Sequence, residues 1–260
     1  MSTAQIQGSL WGVRARDYAE TLEPFRRPLY EAVFAAAEVG VGTQLLDVGC
    51  GPGLAAQLAS KRGARVAGLD AAEASLEIAR VRSPEGDFRA GELEHLPWAD
   101  NTFDIVTGFN AFQYAAEVVN ALREARRVAR PGGHVAMAVW GRAEDCETAA
   151  LVTALGQFLP PPPPGSPGPF ALSAPGRVEG LLELAGLSPL SNGEVACPFE
   201  FADLETAVRG SMSSGPAAAA IQQAGAEAVR QAIAESLAPF RTSEGAYRQR
   251  NTFRYVIATA

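Results

Sequence analysis

LLDVGCGPG, residues 45–53, sets an apolar pair, an aspartate and three glycines at alternate positions. A short apolar run ending in glycines reads as a buried strand entering a turn. The next stretch, LAAQLASKRG (54–63), reads as a helix closed by Gly63. Glycines at a strand-to-helix junction let a ligand lie against bare backbone N–H groups at the helix N-terminus. The stretch thus opens a βαβ unit and proposes a binding site within it.

The alternation continues outward. ARVAGLD (64–70) is a second strand, AAEASLEIARVR (71–82) a helix, GDFRAGE (86–92) a third strand and FDIVTGF (103–109) a fourth. AAEVVNALREARRVARPGG (115–133) is an amphipathic helix with Val118, Leu122, Ala125 and Val128 on one side, and HVAMAVW (134–140) is a fifth strand. Apolar strands alternating with helices predict a parallel sheet covered on both faces. Residues 1–40 carry no strand signal and predict one or two helices, interrupted at Pro24 and Pro28. After Trp140, EDCETAALVTALGQFL (144–159) is helix-like, and the five prolines that follow predict an extended connector about 15 Å long. SAPGRVEGLLELAGL (173–187) predicts a helix, VACPFEF (195–201) a sixth strand, residues 203–240 two helices, and NTFRYVIATA (251–260) a last strand. The second of those two helices has only a modestly apolar face (Ile221, Val229, Ile233, Leu237), as for a cover element.

Composition limits the function classes. A chain of 260 residues with 47% hydrophobic and 20% charged residues is of the soluble globular type. Its net charge of −7 opposes binding to nucleic acid or anionic membrane. Cys50, Cys146 and Cys197 are widely spaced and odd in number, so neither a disulfide framework nor a zinc site is expected. No run reaches the roughly 18 apolar residues of a membrane span, and the first twenty residues lack the apolar segment of a signal peptide. A reduced cytoplasmic setting is the expectation, with no metal.

The loop departs from known nucleotide fingerprints in an informative way. A dinucleotide loop has its third glycine at the sixth place, where this chain has Leu54, and no GK[ST] follows as a Walker loop requires. Asp70 closes the strand beside the loop, where an acid accepts hydrogen bonds from both hydroxyls of a ribose; as a helix N-cap it would satisfy the next helix, and the roles are compatible. Asp47 stands inside an apolar strand, and a buried carboxylate is costly unless paired or hydrogen-bonded. It argues for a ligand bearing positive charge.

LLDVGCGPG, VAGLD, GELEHLPWADNTFDIV and RVARPGGHVAMAVW together closely resemble, in order and spacing, the motifs of class I S-adenosylmethionine-dependent methyltransferases, in the branch that includes the quinone C-methyltransferases. The resemblance is dense over residues 43–140. It implies an α/β, Rossmann-like three-layer sandwich, its mostly parallel seven-stranded sheet ending in an antiparallel strand. It implies a helical cap (1–42), a cofactor-binding core (43–202 and 246–260) and a helical lid insert (203–245). S-adenosylmethionine would be the cofactor and S-adenosylhomocysteine the product. Gly49, Cys50, Gly51 and Gly53 would border the methionine and ribose. Asp47 would serve the amino group and Asp70, with Ala71, the ribose. Glu92 and Leu93 would meet the adenine, Glu92 departing from the usual aspartate by one methylene. Phe109, Asn110 and Gln113 would line the methionine end, and Tyr18 would fold over the cofactor.

Methyl transfer from a sulfonium is an in-line displacement, in which alignment alone supplies about 7–11 kcal/mol. A base is needed only when the nucleophile arrives protonated. Neither His95 nor His134 is well placed for that role, so no catalytic residue is assigned. Trp11, Tyr18, Phe112, Tyr114 and Trp140, with Gln113 and the insert, are the candidate walls of an acceptor site. GFNAFQY (108–114) differs from the [DN]PP[YFW] segment of DNA amino-methyltransferases, and Cys197 precedes its proline rather than following one. Arginines 123, 126, 127 and 130 have no interleaved aromatics and read as a solvated helix face. A small aromatic or apolar methyl acceptor is expected, methylated at O, N or C. The alternatives are a non-catalytic binder of the same cofactor and a nicotinamide-dependent oxidoreductase, which Leu54 opposes.

Overall fold

The computed structural model describes residues 2–160 and 170–260; most of the proline tract lies outside them. The chain begins with three helices, where one or two were expected: α1 (Thr3–Gly12), α2 (Ala15–Thr21) and α3 (Arg27–Ala36). Ser2 and Gln5 form a reciprocal capping box at the start of α1. Pro24 falls in a 3-10 turn, Glu23–Arg26, that separates α2 from α3.

Strands and helices then alternate: β1 (Gln44–Val48), α4 (Leu54–Lys61), β2 (Arg65–Asp70), α5 (Glu73–Arg82), β3 (Asp87–Ala90), β4 (Phe103–Phe109), α6 (Val118–Val128) and β5 (Ala129–Trp140). The remainder comprises α7 (Ala149–Gly156), α8 (Arg177–Leu184), β6 (Ser188–Ala196), β7 (Phe199–Phe201), α9 (Leu204–Met212), α10 (Gly215–Ala224), α11 (Ala226–Leu237), β8 (Tyr247–Gln249) and β9 (Thr252–Thr259). The main sheet has seven strands in the order β3-β2-β1-β4-β5-β9-β6, and only β9 runs against its neighbours. Strand order reverses between β1 and β4, which makes the rim at their carboxyl ends the place for a ligand.

Alternate residues of each strand feed opposite faces. Leu46, Val48, Val106 and Met137 pack against α6 and α8 through Leu122, Ala125, Val178 and Leu182. Leu45, Val66 and Ile105 pack against α3, α4 and α5 through Phe34, Ala59 and Leu76. On the same side, Ala138, Phe253 and Ile257 meet α7, α9 and α11. Helix, sheet and helix make three layers.

Two expectations need correction. The sixth strand is Ser188–Ala196, not Val195–Phe201. It pairs on one side only, with β9, and is almost wholly exposed, so its polar sequence carries no hydrophobic signal. Pro198 lacks the N–H to continue the ladder, and Phe199–Phe201 turns away to pair with β8. Residues 203–240 form three helices, because Gly225 (φ 82°, ψ 158°) breaks the predicted second one. Its face is deeply packed rather than a loose cover: Val229, Ile233 and Leu237 are fully buried.

No described helix is long and apolar enough to cross a membrane. Among the described residues no three His, Cys, Asp or Glu side chains converge as a metal ion requires. All three cysteines are free and buried.

Candidate functional site

The glycine loop follows β1 at the switch in strand order. Gly49, Gly51 and Gly53 all take positive φ (67°, 52° and 82°), where other residues are strained. Their surroundings differ. A Cβ on Gly49 would collide with Ala111, and one on Gly53 would stand 2.7 Å from the Ala79 Cβ, so both glycines serve close packing. Gly51 alone faces open space, with nothing within 4 Å of a Cβ built there. The open backbone anticipated for a ligand is concentrated at this residue, but free N–H groups are not found there: Gly49 and Cys50 donate to the Leu69 carbonyl, Gly51 to Asp70, Gly53 to the Cys50 carbonyl and Leu54 to Glu23.

Three carboxylates surround the loop. Asp47 is 2% exposed, and burial pushes its carboxyl up to about 7 although Thr107 Oγ1 donates to it at 2.7 Å; Glu23 and Asp70 add to the rise. Half-buried Asp70 accepts the Gly51 N–H and the Ala72 N–H, each at 2.8 Å, and so ties the loop to the β2–α5 turn. Burial raises its carboxyl while those N–H groups oppose the rise. Each Asp70 oxygen keeps a lone pair for a further donor. Cys50 is buried against the β2 strand, and burial first, then the three acids, hold its thiol well above the ordinary range, so it is unreactive.

Glu23 was not singled out in the sequence, yet it ties the N-terminal helices to the loop. It is 2% exposed, accepts the Leu54 N–H at the start of α4 (3.0 Å) and is ion-paired with Arg82. Arg82 also donates to the Pro52 carbonyl (2.9 Å) and the Ala19 carbonyl (3.2 Å). An acid beside a proline in a helical linker gave no pattern that would reveal this role.

Past β4, Phe109 packs edge-to-face on Tyr30, with centroids 4.6 Å apart. Asn110 adopts a positive φ of 52° and receives Gln113 Nε2 on its Oδ1 at 3.4 Å. Asn110 Nδ2 and Gln113 Oε1 are buried without partners. One donor and one acceptor left unmet at this position suit the amino-acid end of a ligand. Phe112 is 1% exposed and shares the α6-side core with Val48, Leu96 and Leu122, behind the rim. Glu92 and Leu93 lie half-buried after β3; the His95 imidazole stands 3.9 Å from the Glu92 carboxylate, its side chain 84% exposed.

Aromatic side chains cover the rim. Trp11 meets Tyr18 and Tyr114 edge-on, each at 5.7 Å. A Cβ on Gly215 would touch the Trp11 ring, and one on Gly8 would strike the Ala71 carbonyl, so α1 lies hard against both α10 and the turn beside Asp70. Burial raises the Tyr18 phenol and pushes that of Tyr114 up to about 12, leaving both protonated at neutral pH. Trp140 stacks on Phe253 at 4.4 Å. Arg26, also unanticipated, lies among Tyr18, Trp140, Phe199 and Phe253 and is 7% exposed.

The arginines of α6, and Arg130 at the start of β5, lie elsewhere. Arg127 is held by Glu124, Asp100 and the Leu96 and Trp98 carbonyls, and Arg130 by Asp104. A groove of about 410 Å³ beside them opens at Asn101, Pro131 and Ala260, the end of the sheet opposite the glycine loop.

Comparison with known proteins bears on the same region. Residues 46–137, β1 to β5, match the family model for a methyltransferase domain. Methyltransferase GfsG of Streptomyces halstedii is 39% identical over 144 residues (51% of this chain, 50% of that protein). A malonyl-acyl-carrier-protein O-methyltransferase of Erwinia pyrifoliae is 32% identical over 156 residues (60% and 59%). A ubiquinone biosynthesis O-methyltransferase of Mesorhizobium japonicum is 33% identical over 111 residues (41% and 45%). The matches span about half the length of these relatives. Among solved structures, a Bacillus halodurans protein titled a candidate methyltransferase superposes with a TM-score of 0.59 at 17% identity, covering 88% of this chain and 97% of its own. The 4+2 cyclase SpnF superposes with a TM-score of 0.54 at 20% identity, covering 87% and 79%. Residues 46–137 therefore match a methyltransferase domain, in a chain whose seven-stranded, mostly parallel sheet shares the Rossmann-like fold of these solved structures.

Proposed function

We propose that the chain binds S-adenosylmethionine and transfers its methyl group, by in-line displacement, to O, N or C of a small aromatic or apolar metabolite. The carrying observation is Gly51: an open stretch of backbone between a buried acid, Asp47, and a loop-bound acid, Asp70. When bound, the cofactor supplies a methyl group already activated on a sulfonium. Asp47 ionises against the ammonium of the methionine part, and Asn110 Nδ2 and Gln113 Oε1 meet its polar atoms. Asp70 turns its spare lone pairs to the ribose hydroxyls beside Ala71, and Glu92 and Leu93 border the adenine. Gly49 and Gly53 hold the loop's path, and Cys50 and Phe109 pack beneath it.

The acceptor takes its place under Trp11, Tyr18, Tyr114 and Trp140. Residues 1–42 and 203–245 form the cover, over a core of 43–202 and 246–260. Neutral tyrosines and a closed aromatic wall exclude water and orient the nucleophile rather than deprotonate it. A reduced cytoplasmic setting suits three free cysteines.

A second reading, a non-catalytic binder of the cofactor, draws on the lack of a base among these side chains. One experiment separates the two: the protein is incubated with S-adenosylmethionine and a panel of phenols, amines and carbon acids. Release of S-adenosylhomocysteine with a methylated product supports transfer. Binding without any product across the panel supports the second reading, and no binding overturns both.

A further inference from the structure

Arg26 is a buried cation with no carboxylate in direct contact, although Glu23 attracts it from beyond ion-pair distance. It is 7% exposed, its recorded hydrogen bond goes to the Leu22 carbonyl at 3.0 Å, and among the described residues no carboxylate pairs with it. The nearby acids are otherwise engaged: Glu23 by Arg82 and the Leu54 N–H, Asp70 by two backbone N–H groups, Asp47 by Thr107. Its guanidinium carbon lies 5.3 Å from the Tyr18 centroid, 5.9 Å from Trp140, 5.6 Å from Phe199 and 5.8 Å from Phe253. Ring faces stabilise a cation but do not accept its N–H donors as an oxygen would, and the protein acceptor it meets is the Leu22 carbonyl. The guanidinium therefore keeps donors that a further oxygen acceptor could take.

Its position in the fold gives the missing partner a chemistry. Trp140 ends β5 and Phe253 opens the adjoining β9, so Arg26 sits above the carboxyl-end rim, on the β5 side of the glycine loop. Asp70 and the turn held by α1 lie on the opposite, β2 side. Tyr18 belongs to the same aromatic wall as Trp11 and Tyr114, which therefore runs from the end of β4 to the guanidinium. A planar fork of donors at the end of an aromatic wall matches a carboxylate on a flat, apolar skeleton.

We infer that Arg26 is a specificity-determining residue of the acceptor site, and that the acceptor carries a carboxylate which this guanidinium binds. The inference rests on the methyltransferase reading, since it assigns the β5 side of the rim to the acceptor. The carboxylate anchors the molecule; the aromatic wall sets the plane in which its nucleophilic atom faces the methyl group.

The test uses the full chain loaded with S-adenosylhomocysteine. Benzoate and phenylacetate are titrated in parallel with their neutral isosteres, benzamide and phenylacetamide, and binding is read by calorimetry and ligand-observed NMR. The carboxylates bind at least tenfold more tightly than the amides in the wild-type chain. Arg26→Met abolishes that preference, and Arg26→Lys, which keeps the charge but not the fork, retains part of it. Equal or absent binding of acids and amides by the wild-type chain overturns the inference, even if Arg26→Met does not fold. So does a preference that survives in a folded Arg26→Met protein. Failure of S-adenosylhomocysteine to bind at the loading step strikes the methyltransferase reading instead, which keeps the two apart.

Discussion

Gly51 and Asp47 carry the most chemistry per atom in this chain. At Gly51 the backbone is left-handed (φ 52°) and its face is open, so Gly51→Ala places a methyl group where the ligand would lie. The conformational cost is about 1–2 kcal/mol, seen as a lowered thermal midpoint, while affinity for S-adenosylhomocysteine falls at least tenfold. A drop in stability with unchanged affinity, measured by calorimetry, contradicts the placement. Asp47 predicts a pH dependence. Burial raises its folded-state value to about 7, so between pH 4 and 7 the folded protein keeps a proton that the unfolded chain has released. Its contribution to stability is whole below about pH 4 and is lost as pH rises through 7. Binding of an ammonium needs the ionised form, so affinity rises about tenfold per unit as pH climbs toward 7 and then levels. Asp47→Asn flattens that rise; titrations at pH 5.5, 6.5 and 8 check it.

Among the elements, the N-terminal helices and the glycine loop share a clamp. Removing one partner of the Glu23–Arg82 pair leaves the other charge poorly compensated, so Glu23→Gln or Arg82→Met costs about 3 kcal/mol. A double-mutant cycle in denaturant gives a coupling well above the 0.5 kcal/mol of additive sites. Additivity refutes the clamp. The clamp also shows why the sequence spoke unevenly. β1, β2, β4 and β5 are buried on both faces, and their apolar runs declared them. Asp47 and Asp70 stood out because a carboxylate is rare inside such a run and conspicuous where one closes. β6 is an exposed edge with no hydrophobic periodicity, so it was displaced onto Val195–Phe201. Glu23 and Arg26 lie in an ordinary-looking helical linker, LEPFRR, and their roles arise from partners some 30 to 230 residues away, such as Leu54, Arg82 and Phe253. Phe112, expected from its aromatic character as a wall, lies instead in the α6-side core with its ring against Gly108, because residue type alone does not tell which way a ring after β4 turns.

Across the whole molecule, one sheet with its order reversed between β1 and β4 brings the loop, the acids and the aromatic cover to a single rim. Ligand occupancy there stabilises the fold by mass action, about 2.7 kcal/mol at a hundredfold excess over Kd. The central claim, that this rim holds an adenosyl sulfonium, is met most directly by titrating the purified chain with S-adenosylmethionine in a calorimeter, beside Asp70→Ala. The account predicts one saturable site in the wild-type protein and at least tenfold weaker binding in the variant, which loses the hydrogen bonds from Gly51 in the loop and Ala72 in the following turn. No heat and no thermal shift in the wild-type chain, or equal affinity in the variant, would contradict it.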